Sequence, residues 1–145
     1  MAFSTVTLTP SIPAGEYAVE DVLFNPTELK LPARGAKLIS LFAVDTEKQI
    51  AGDSIALLFF QKNTNDLGTQ NDTADITDAD FKANQFIGAA MISALNQSNA
   101  LLDNLSIRNG DTYDDENDAN PTPLGLVLNS IETGNAIYVA GVFDT

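Results

Sequence analysis

The sequence predicts a single all-β domain, a jelly-roll-like antiparallel β-sandwich of about eight strands with one short helix. Three observations predict it. Short runs rich in Val, Ile, Thr and Phe recur along the chain, separated by Gly, Pro, Asn and Asp. The length of 145 residues, 44% of them apolar, suits one core, and neither a linker nor an internal repeat divides it. Only one segment, around Thr77, carries the start signals of a helix.

The elements follow in order. Phe3 to Ile12 (FSTVTLTPSI) is Thr-rich and alternating, and predicts a first strand closed by Pro10 and Pro13. Val22 to Phe24 and Leu29 to Leu31 read as brief extended pieces split by the turn-forming pair Asn25-Pro26. Ala36 to Asp45 and Asp53 to Lys62 read as an antiparallel pair joined by TEKQIAG, a loop of hairpin length or slightly longer. The stretch NTNDLGTQNDTADITDAD is expected to be too hydrophilic for a core. Gln85 to Ala94, Leu105 to Arg108, Leu124 to Ile131 and Ala136 to Phe143 complete the strand set.

The helix is expected just after residue 77. Thr77 can cap it, Asp80 stands where a capping box places its acid, and Ile76 and Phe81 hold the two positions of a hydrophobic staple. One to two turns fit before the strand at Phe86. The run IALLFF, Ile55 to Phe60, is apolar on both faces, with Ile55, Leu57 and Phe59 on one and Ala56, Leu58 and Phe60 on the other. Antiparallel strands commonly keep one wet face. The second face is covered either by the chain's own loops or by another subunit, and the pattern leaves both open.

Composition excludes much chemistry. The chain has no histidine and no cysteine, so it cannot build Ser-His-Asp or Cys-His catalysis, disulfides or the common zinc sites. With 20 acidic against 7 basic residues, a net charge of −13, it is poorly suited to nucleic acid or anionic membranes. The opening MAFSTVTLTPSIPAGEY lacks the basic and apolar parts of a secretory signal, and no apolar run is long enough to span a bilayer. A soluble chain made without a secretory address is expected.

Two acidic clusters, Asp66 to Asp80 and DTYDDENDAN at Asp111 to Asn120, hold ten of the twenty acids. Tested as a calcium loop, DTYDDENDAN fails: from Asp114, Glu116 and Asp118 fall in place, but Ala119 stands at the turn glycine and Gly125 at the closing Glu. A solvent-facing loop that keeps free copies apart is the expectation, with a calcium site of another type left open. Loop acids of this kind do not signal the facing carboxylate pair of a glycosidase. Three glycosylation-type triplets, at Asn71, Asn96 and Asn104, carry no weight without a secretory signal. No cofactor, metal site or catalytic set is expected.

The opening AFSTVTLTPSIPAGEYAVEDVLF, the middle DLGTQNDTADITDADFKANQFIGAAMI and the closing NAIYVAGVFDT together resemble small virion proteins of tailed phages. They look like the capsid decoration, or cement, proteins of marine and cyanobacterial phages. The matching landmarks are the Ile76 to Asp80 turn, the strand Phe86 to Ile92 and the run Tyr138 to Gly141. These motifs are structural, and they cover about half the chain. The resemblance implies a homotrimer on the outer surface of the mature head, bound to the major capsid protein, with a host-cytoplasmic stage before assembly. Other small virion parts (tail, neck or head-fibre modules) share such sandwiches. A carbohydrate-binding or carbohydrate-cleaving sandwich is the rival of a different class, poorly supplied here because the chain has no Trp and three Tyr. Candidate capsid or oligomer contacts are Phe3, Val6 and Leu8 in an N-terminal segment that forms either an edge strand or an arm, and Phe59 and Phe60 on the two-faced strand.

Overall fold

Strands account for nearly all the regular structure in the computed structural model, which describes residues 2–45, 54–102, 105–112 and 125–144, with backbone alone at 45, 93–102 and 105–112. The strands are β1 (Val22–Lys30), β2 (Gly35–Lys37), β3 (Phe42–Asp45), β4 (Ile55–Phe60), β5 (Phe86–Leu102), β6 (Leu105–Thr112), β7 (Val127–Asn129) and β8 (Ala136–Phe143). The helix α1 spans Asp78–Asn84. Six strands form one antiparallel sheet in the order β1-β8-β4-β5-β6-β3, and β2 pairs with β7 in a separate ribbon. The fold is therefore all-β and antiparallel with one short helix.

Strand β4 organises the packing. Its alternation sends Ile55, Leu57 and Phe59 into the main core with Ile137 and Val139 of β8 and Leu128 of the ribbon. Phe60 faces the other way, fully buried with Val22, Leu67 and Ala140, and flanked by Ile76 and Phe81. The chain's own segment 67–81 thus covers Phe60, one of the two coverings the sequence left open. Burying such a side chain stabilises by roughly 2–3 kcal/mol.

That segment corrects an expectation. The polar composition around it does not keep it out of the core, because asparagine side chains of α1 and β1 satisfy the local backbone. Buried Asn84 accepts from the backbone N–H groups of Thr64 and Asn65 at 2.8 and 2.9 Å and donates to Asn65 O at 2.8 Å. Leu67 itself donates its N–H to Asn25 Oδ1 at 2.8 Å and accepts from Asp75 N–H at 3.0 Å, so it is buried with both backbone groups paired.

Asn25-Pro26 likewise does not break β1. Asn25 Oδ1 accepts from Leu67 N–H and its Nδ2 donates to Gly68 O, both at 2.8 Å, so the pair is pinned from the side. The register with β8 slips between Val22 and Phe24 and again between Phe24 and Thr27, which turns the expected turn into bulges in one strand. Pro26 is tolerated because β1 is an edge strand.

Two more expectations fail. The segment from Phe3 to Ile12 forms no strand. The hairpin between Ala36–Asp45 and Asp53–Lys62 is also absent: β4 pairs with β5 and β8, which fills both of its sides, and β3 pairs with β6. The helix arrives as expected, with Thr77 as N-cap and a complete capping box, and Gln85 ends it in a left-handed conformation. No helix among the described residues is long and apolar enough to cross a membrane.

Candidate functional site

The N-terminal segment is an extended arm fastened only at its root. Gln70 Nε2 donates to Ser11 O at 2.9 Å, and the Tyr17 hydroxyl donates to Pro13 O at 2.6 Å. The Tyr17 ring stacks on Phe143 with centroids 5.3 Å apart, and Leu8 is half-buried against the main core. Burial first, and then the charge of Asp21, push the Tyr17 phenol above its ordinary range, so it stays a neutral donor at neutral pH. Beyond Leu8 the arm is open: Phe3 is 78% and Val6 41% exposed. Among the described residues no hydrogen bond holds positions 2–7.

The two outer edges of the large sheet differ. On β1, Val22 N–H donates to Asp72 O and Asn71 N–H donates to Val22 O, each at 2.9 Å, while Gln70 Nε2 reaches Leu23 O at 3.0 Å. Pro26 removes a further donor from that edge. On β3 no such guard is present among the described residues. Ala43 turns toward the main core, while Phe42 and Val44 are 64% and 59% exposed. Edge strands are normally blunted by proline, charge, a bulge or short length; β3 carries no proline or bulge, and only its four-residue length and terminal Asp45 limit it.

A third feature lies on the face that carries Phe60. Leu58, Ile76, Phe81, Phe86 and Val142 line an open concavity of about 700 Å³, bordered by Glu20 and Asp144. Phe60, Phe81 and Phe86 form an edge-on ring cluster beneath it, with centroids 4.8 to 5.8 Å apart. Its lining is apolar, as in a surface that receives a partner.

The expected contact residues therefore separate. Phe3 and Val6 are at the surface and Leu8 roots the arm, whereas Phe59 and Phe60 are buried in the chain's own two cores and present nothing to a partner. The acids of the first cluster, Asp66, Asp72, Asp75 and Asp78, are exposed, and Asp80 serves the helix cap. Hydrogen bonds from the Thr77 hydroxyl, then the Thr77 backbone and Asn65, hold the Asp80 carboxyl below its ordinary range. Among the described residues no three potential metal ligands are grouped. Within DTYDDENDAN, Asp111 and Thr112 close β6, and positions 113–120 lie outside the described residues.

Sequence reasoning misses Phe42 and Val44, because the pattern places them in the second half of a hairpin strand, Ala36 to Asp45. It also missed the concavity, whose walls come from three separated parts of the chain. The usable signal was charge: Leu38 to Val44 (LISLFAV) is apolar and polar but uncharged in a strongly acidic chain. No protein-family model, no curated protein and no solved structure matches this chain.

Proposed function

We propose that the protein is a structural virion component, a capsid decoration protein that binds the outer surface of a mature phage head and ties neighbouring capsomers together. The observation that carries this reading is the resemblance of the opening, middle and closing stretches to such proteins. The open arm supports it: an extended, uncharged segment with Phe3 and Val6 exposed is the kind of element that grips a neighbouring subunit. Several modest contacts per assembly add up to firm attachment through multivalency. Copies that bind only the expanded shell stabilise it by linkage. The net charge of −13 keeps free copies soluble before they bind.

The test is the copy number of this protein relative to the major capsid protein in gradient-purified particles, measured by quantitative mass spectrometry. A ratio within a few-fold of unity supports decoration of the whole shell. A handful of copies per particle moves the protein to a tail, neck or vertex, and absence from particles overturns the virion reading.

A further inference from the structure

The arm and the β3 edge lack partners in complementary ways. Ala2 to Thr7 (AFSTVT) is dense in residues that favour extended structure, yet it is in no sheet. Phe42 to Val44 is in a sheet, yet among the described residues nothing bonds to its outer side. We propose that the arm of one copy adds as a strand to the β3 edge of a second copy.

Three observations support this pairing over others. The first is charge. Two copies of a chain at −13 repel wherever their acidic surfaces meet, but positions 2–15 and Leu38 to Val44 contain no charged residue at all. Two copies can bring these two segments together at little electrostatic cost. The second is pattern. The exposed pair Phe42 and Val44 lies on one face of β3, and an added strand turns Phe3 to one face and Val6 to the other, so in either register one of them supplies apolar area to cover the pair.

The third is position. Gln70 binds both Ser11 O of the arm's root and Leu23 O of β1, so the arm leaves the body beside β1. In the six-stranded sheet β1 and β3 are the opposite edges, five strand spacings or roughly 24 Å apart. Leu8 is held against the main core on the way, which leaves Ala2 to Thr7 to project outward. In this conformation the arm joins no edge of its own sheet, which leaves it free for the edge of a neighbour.

An arm-to-edge contact uses different surfaces on the two copies. Such a heterologous contact either closes into a ring, as a trimer does, or grows into a filament. The proposal goes beyond the decoration reading and does not depend on it, because its test needs no capsid.

The test follows the mass of the full chain in solution by light scattering and sedimentation across a broad concentration range. Concentration-dependent assembly is expected. Deleting positions 2–7, or changing Val44→Lys, is expected to give monomers that still unfold cooperatively, since neither change touches a buried side chain. The chain contains no cysteine, so single cysteines report contacts cleanly. Cysteine placed in turn at Ser4, Thr5 and Val6, each mixed with a separate Val44→Cys protein, is expected to give a disulfide between the two in one preferred register. A chain that is monomeric at every concentration overturns the proposal. So does assembly that survives loss of the arm, or a Val44→Cys protein that cross-links to itself but not to any arm cysteine.

Discussion

Gly141 of β8 is the position where the main core has least room. It pairs with Phe24 of β1 on one side and Leu57 of β4 on the other. The ring of buried Phe24 lies across it: a Cβ added at Gly141 would overlap Phe24 Cε1 and stand 2.9 Å from both Cδ1 and Cζ. The ring is hemmed in by the core and cannot swing clear. Overpacking of this kind costs about 1–3 kcal/mol. For a chain of this length that is a fall in Tm of about 3–10 °C.

Gly88 of β5 is the control. An added Cβ there meets Leu126 Cδ1 at 2.5 Å, but the next nearest atoms are at 3.6 Å, and Leu126 is a half-buried side chain that can turn aside. Thermal melts followed by circular dichroism are expected to rank Gly141→Ala well below Gly88→Ala. Shortening the ring by Phe24→Leu in the Gly141→Ala background is expected to recover part of the loss, with a coupling of about 1 kcal/mol or more. Equal melting points for the two alanine variants would falsify the packing argument, as would additive effects at Phe24 and Gly141.

Asn84→Ala strips the partners from Thr64 N–H, Asn65 N–H and Asn65 O, and is expected to cost about 1–3 kcal/mol in urea unfolding, and Asn84→Asp is expected not to rescue it, because it buries a carboxylate oxygen against Asn65 O. Thr77→Ala removes the helix cap and is expected to cost about 1 kcal/mol. The lowered carboxyl of Asp80 adds stability that is present above its unfolded pKa near about 4 and is lost as pH falls through the folded value. Parent and Asp80→Asn proteins are therefore expected to differ in urea midpoint at neutral pH and to converge in acid. Tyr138 donates to Glu132 Oε2 at 2.9 Å, and burial first, then that bond, raise its phenol above the ordinary range. Stability from it is full at neutral pH and erodes above about pH 10, an erosion that Tyr138→Phe is expected to abolish in alkaline melts.

The sequence was most legible where one signal acted alone. Ala136 to Phe143 forms β8 between the expected bounds, and the Thr77 cap with its capping box is formed as the local pattern requires, with Ile76 and Phe81 both packed against the Phe60 cluster. It was least legible where distant partners decide. Nothing local in Asn25-Pro26 announces that Leu67 and Gly68 will pin it into a strand. The polar run ALNQSNALL continues β5 because β6 pairs with it, not through any alternation of its own. The arm reversed the usual error: Phe3 to Ile12 has strand propensity, and what it lacks is a neighbour within its own chain. For the same reason the sequence does not show that Phe59 and Phe60 lie inside the chain's own cores, since an apolar face does not reveal whose atoms cover it.

The strand order β1-β8-β4 has a consequence for synthesis. Until the most C-terminal of the described strands leaves the ribosome, neither β1 nor the apolar β4 has the neighbour that joins them. Until then IALLFF can pair on one side with β5 but keeps its other edge open, and the sheet closes late, through contacts between distant parts of the chain. Nascent chains stalled before Ala136 are the species that chaperones have to hold.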